Sequence, residues 1–111
     1  MEITEDRTAG ILVLGLAGKL DATTSKLLED KILGMIDGGE TRLVVDLGQL
    51  DYVSSSGLRV FLLATKRLTG IGGKIALCSL KDHIRQVFDL AGFSAILSIH
   101  NSRDEAVESL S

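Results

Sequence analysis

The chain has 111 residues, of which 45% are hydrophobic, 24% charged and 4% aromatic, as expected of a single folded domain over 1–111 and not of a disordered segment. Its formal charge of −3, with no Trp, one Tyr and three Phe, argues against direct nucleic-acid binding, which needs a basic surface or stacking aromatics. The one cysteine, Cys78, excludes an internal disulfide and fits a reducing compartment.

Met1–Gly10 is polar and acidic, without the basic start and apolar stretch of a secretory signal. The longest near-continuous apolar run, Ile11–Gly18, has eight residues, far short of the roughly 20 that cross a membrane. A cytoplasmic protein with no membrane insertion is the expectation. Glu2–Glu5 alternates weakly and reads as an edge strand. A turn at Thr8-Ala9-Gly10 leads to Ile11–Leu16, apolar on both faces and hence a central strand. The pair predicts an opening hairpin.

From Thr24 to Asp37 the period becomes helical, with Leu28, Ile32, Met35 and Ile36 on one face and Gly38-Gly39 as the stop. Leu43-Val44-Val45 reads as a short buried strand. A second helix is expected from about Ser55–Gly57 to Thr69, and Ile75–Cys78 as the next strand. Ser79-Leu80-Lys81-Asp82 has the form of a helix-start signal, with Ser79 as cap. It leads into Ile84, Val87, Phe88 and Ala91 at amphipathic spacing. Ala95–Ile99 is expected as the last strand, and Ser102-Arg103-Asp104-Glu105 as a full capping box opening a short final helix. Strands alternating with helices predict an α/β domain, its mostly parallel mixed sheet carrying the opening hairpin and about four helices.

Chemistry concentrates at Ser54-Ser55-Ser56-Gly57-Leu58-Arg59. Three hydroxyls lie between a strand and an apolar helix, where free backbone N–H groups and the helix dipole favour an anion such as phosphate. The plain alternative is that one or two of these serines only start the helix. Leu58, Val60, Phe61, Leu62, Leu63 and Ala64 leave Arg59 as the only charge in the first two turns. Such a face fits either a partner-binding patch or deep burial.

At this point the chain resembles the STAS domains, and among them the bacterial anti-sigma factor antagonists. The resemblance covers essentially the whole length. It is carried by the opening hairpin, Gly18-Lys19-Leu20-Asp21, the strand Leu43–Leu47, Tyr52-Val53-Ser54-Ser55-Ser56-Gly57-Leu58, Gly72-Gly73, and Val87-Phe88-Asp89-Leu90-Ala91-Gly92-Phe93. The family motif is usually Asp-Ser-Ser-Gly-Leu, its first serine being phosphorylated. Aligned on Gly57-Leu58, the acceptor falls at Ser55, with Ser54 standing where the Asp usually is and remaining the runner-up acceptor. Asp21 matches an acidic residue near the family's phosphorylation site, or is simply a cap before the first helix.

The resemblance implies a non-enzymatic module with no catalytic residues, cofactor or metal. It implies two partners: an anti-sigma factor serine kinase, and a serine phosphatase acting on the phosphorylated form. Asp21, Ser54, Ser55, Ser56, Gly57, Leu58 and Arg59 are the expected partner-binding residues. The alternative is a non-switching STAS scaffold subunit of a stress-sensing or membrane lipid-transport assembly. Elsewhere, Gly70-Ile71-Gly72-Gly73-Lys74 precedes a strand and reads as a helix stop, not a phosphate loop. His83 and His100 lack partners at metal-ligand spacing. Cys78 reads as a buried hydrophobe, and Lys66 and Arg67 as a solvated helix edge.

Overall fold

The polar turn after Thr8 folds the chain back on itself through Ala9 and Gly10, both left-handed (φ 53° and 80°), as a two-residue hairpin turn that follows the strand twist requires. The computed structural model describes all 111 residues. The hairpin strands are β1 (Glu2–Thr8) and β2 (Ile11–Leu20). They are followed by α1 (Ala22–Asp37), β3 (Arg42–Val53), α2 (Ser55–Gly70), β4 (Lys74–Cys78) and α3 (Asp82–Leu90). A 3-10 turn (Phe93–Ala95), β5 (Ser98–His100) and α4 (Arg103–Leu110) complete the chain.

The sheet runs β1-β2-β3-β4-β5 in chain order, antiparallel between β1 and β2 and parallel thereafter. Parallel strands are joined by right-handed crossovers. When each new strand adds on the same side, those crossovers place every connecting helix on one face. The packing shows this: Leu12, Leu14, Leu43, Val45 and Leu77 share one cluster with Leu28 and Ile32 of α1, Phe61 and Leu68 of α2, and Ile84 and Phe88 of α3. Only α4 covers the opposite face, where Ala106, Val107 and Leu110 pack on Ile11, Val13, Val44, Ala76 and Cys78. At its start, Arg103 holds Asp46 through Nε at 3.1 Å and Nη2 at 3.0 Å. The sheet edges are β1, bearing Glu2, Glu5, Asp6 and Arg7, and the three-residue β5.

The α/β class, the mixed sheet, the hairpin and the four helices agree with the sequence reading. Several boundaries differ. β3 has twelve residues and not three, because register shifts against β2 near Gly15–Lys19 let Leu47 and Leu50 both reach the core, which breaks the simple alternation. α1 begins earlier, at Ala22, since Asp21 caps it. Ser79 is not a helix cap: it has φ 64° and its N–H donates to the His100 carbonyl at 3.1 Å. α3 starts at Asp82, after Lys81, with no side-chain cap. Within Ala95–Ile99 the chain first turns, Ile96 and Leu97 N–H donating to Phe93 O at 3.0 and 2.8 Å, and only Ser98–His100 pairs. Ser102 does cap α4, yet the Glu105 carboxylate accepts from Asn101 N–H, not from Ser102. Cys78 is buried, as expected, and α2 runs through Gly70, one residue past the expected Thr69.

Candidate functional site

Leu20 and Val53 are the last register partners of β2 and β3, so the helices that follow these neighbouring strands begin side by side. Ser54 N–H donates to the Leu20 carbonyl at 2.8 Å, joining the two starts. Asp21 is the N-cap of α1, its Oδ1 accepting from Thr23 and Thr24 N–H at 3.0 Å each. The Thr24 hydroxyl accepts from Asp21 N–H at 2.9 Å, completing a capping box. These donors, the Thr24 amide first, hold the Asp21 carboxyl below the usual carboxylate range. Asp21 is therefore a cap, and it also lies beside the serine motif.

Ser54 is the N-cap of α2. Its Oγ accepts from Gly57 N–H at 3.2 Å and its carbonyl from Leu58 N–H at 3.0 Å. Ser55, the first helical residue, is exposed and its hydroxyl has no partner within the protein. Ser56 is half-buried and Arg59 exposed. Gly57 is buried against the sheet, and a Cβ there would sit 2.8 Å from Leu20 Cγ and Cδ2 and 3.0 Å from Val53 Cγ2. Glycine lets the first turn of α2 approach this closely.

Leu58, Val60, Phe61 and Ala64 lie in the core, with Phe61 fully buried. Deep burial thus accounts for most of the apolar face of α2, and only Leu62 and Leu63 remain partly exposed. Of the expected contact residues, Asp21, Ser54, Ser55, Ser56 and Arg59 reach the surface, while Gly57 and Leu58 seat them from beneath.

The same end of the sheet carries a polar group that the sequence did not signal. Asp51 pairs with Lys81, and His83 Nε2–H donates to the Asp51 carbonyl at 2.7 Å. Hydrogen bonding to Lys81, then its charge, holds the Asp51 carboxyl below its ordinary value, with His83 and Lys19 adding to the effect. These residues come from three separate segments, so no local pattern could have linked them. The largest cavity, about 550 Å³, lies elsewhere, on the α4 face between Thr4, Gly15, Asp46, Gln49, Ser79 and Arg103. Because strand order never reverses, the sheet opens no crevice at the serine motif of the kind that holds cofactors in doubly wound folds. What the motif offers is a hydroxyl-bearing surface at the start of α2.

Residues 2–106 match the STAS domain family model. BtrV of Bordetella bronchiseptica, assigned as an anti-sigma factor antagonist, is 43% identical over 106 residues, covering 96% of this chain and 91% of BtrV. The chain belongs to the STAS-domain anti-sigma factor antagonist family. Members of that family are binding modules, not enzymes. Solved structures agree on the STAS fold. A Thermotoga maritima protein, also assigned as an anti-sigma factor antagonist, has a TM-score of 0.92 at 19% identity, covering 97% of this chain and 93% of its own. The Bacillus cell fate determinant SpoIIAA in its phosphorylated form has a TM-score of 0.76 at 21% identity, covering 99% and 100%. No helix of this STAS domain is long and apolar enough to cross a membrane.

Proposed function

We propose that this STAS domain is a cytoplasmic anti-sigma factor antagonist whose binding is controlled by phosphorylation at Ser55. Unmodified, it binds an anti-sigma factor that is also a serine kinase and so frees a sigma factor. Phosphorylated, it is released, and a serine phosphatase resets it. One observation carries the choice of residue: Ser55 presents a free, exposed hydroxyl, whereas the Ser54 hydroxyl is engaged in capping α2. The departure from the usual Asp at position 54 leaves the cap geometry in place, although by itself it fits the scaffold reading as well. The relative BtrV and the existence of a phosphorylated SpoIIAA structure support the switch.

The physics of release follows from charge. A phosphoserine adds about −1.5 to −2 at neutral pH. At the start of α2 this charge is favourable to the helix, so the effect falls on the interface and not on the fold. There the phosphate must be desolvated or pressed against partner carboxylates. A hundredfold loss of affinity requires only about 2.8 kcal/mol.

Peptide-mapped mass spectrometry of the protein from its own cells, under several growth conditions, tests the site. Phosphate on Ser55 is expected. Ser55→Ala should keep partner binding and block modification, and Ser55→Asp should weaken binding at least tenfold by titration calorimetry. Phosphate on Ser54 would move the acceptor. No phosphate in any condition, with a stable partner still bound, would favour the scaffold.

A further inference from the structure

The two caps that meet at this end of the sheet differ in charge. Asp21 closes α1 with a carboxylate that accepts two backbone N–H groups. Ser54 closes α2 with a neutral hydroxyl, and the first turn of α2 contains no acidic residue. The positive end of α2 therefore lacks a carboxylate of its own, although such ends favour one. As hydrogen-bond acceptors Ser, Asn and Asp cap about equally well. Geometry alone does not call for a neutral cap here, and what separates Ser54 from an Asp is charge beside Ser55.

Building on the reading of Ser55 as the acceptor, we infer that Ser54 is a positioning residue for that modification: its neutral cap leaves the N-terminal field of α2 to the Ser55 phosphate and lets that phosphate stay doubly charged at neutral pH. A carboxylate at position 54 would stand one residue away and oppose the second ionisation. Coulomb's law for charges about 6 Å apart at a wet surface puts the rise in the phosphate's second pKa at roughly 0.5–1 unit. Starting from about 6, the doubly charged fraction at pH 7 would fall from roughly nine-tenths to between a half and three-quarters. The loss falls on the very charge that drives release. The other charged and titratable groups at this end are Asp21 before α1, Arg59 on α2, Lys19 on β2, Asp51 on β3, Lys81 before α3, and Asp82 and His83 at its start. They are the same in every variant compared.

The test uses the full chain with phosphoserine genetically encoded at position 55, which needs no kinase, and follows its second ionisation by phosphorus NMR. The variants are Ser54→Asn, a neutral cap, and Ser54→Asp, a charged one of nearly the same shape. Both are favoured cap residues and keep the fold, which a thermal melt checks. The wild type and Ser54→Asn are expected to titrate together, with Ser54→Asp roughly 0.5–1 unit higher. Coincident titrations of Ser54→Asp and Ser54→Asn would overturn the inference. So would an equal upward shift in both, which would assign the effect to cap geometry. Whether cells phosphorylate Ser55 is decided by the mass spectrometry above, so the two readings fail separately.

Discussion

On one face of the sheet, α1, α2 and α3 bury a cluster of 22 residues, while on the other α4 closes a cluster of eight. The difference originates in topology: strands added always on one side send three crossover helices to the same face, leaving the last helix alone on the other. The thick face positions the serine motif, since Leu20 and Val53 support Gly57 from below. The thin face leaves a cavity at the start of α4, where Arg103 holds Asp46. The serine motif is thus built over the deeper packing.

Three substitutions would break or sharpen this contrast. Phe61→Ala, at a fully buried ring 5.8 Å from that of Phe88, should cost about 3–5 kcal/mol in urea unfolding. Against a usual total of about 5–15 kcal/mol, that leaves a marginal fold. Gly57→Ala comes next, at about 1–3 kcal/mol, because the added methyl overlaps Leu20 and Val53 and forces them to move. A neutral result there would mean that the start of α2 is free to lift from the sheet. The smallest loss is expected on the thin face: Val107→Ala removes two buried methyl groups, about 1–2 kcal/mol, read as a modest drop in melting temperature. Should Val107→Ala cost as much as Phe61→Ala, the two faces would be equally demanding and the contrast would fail.

Much of the fold was legible because its signals are local. Leu28, Ile32 and Ile36 recur at helical spacing, and Gly38-Gly39 ends the run. The ends of β3 were not legible, since the register shifts that carry Leu47 and Leu50 to one side depend on β2. Ser79 imitates a cap, yet its amide is engaged by the last residue of β5, more than 20 positions later. At the site, the serine run stands out in the sequence, but which hydroxyl is free depends on which one closes the helix. The burial of Leu58 and the meeting of Asp51 with Lys81 and His83 are tertiary facts. The proposed acceptor position comes from the family resemblance, and the cap geometry, with the Ser54 hydroxyl engaged, supports that proposal.

A regulator that works by occupying its target molecule for molecule has to accumulate to a matching concentration. Crowded copies of an open strand would tend to pair edge to edge. Here one border of the sheet carries Glu2, Glu5, Asp6 and Arg7, and the other is three residues long. Charge at one border and brevity at the other disfavour edge-to-edge pairing between copies of this protein.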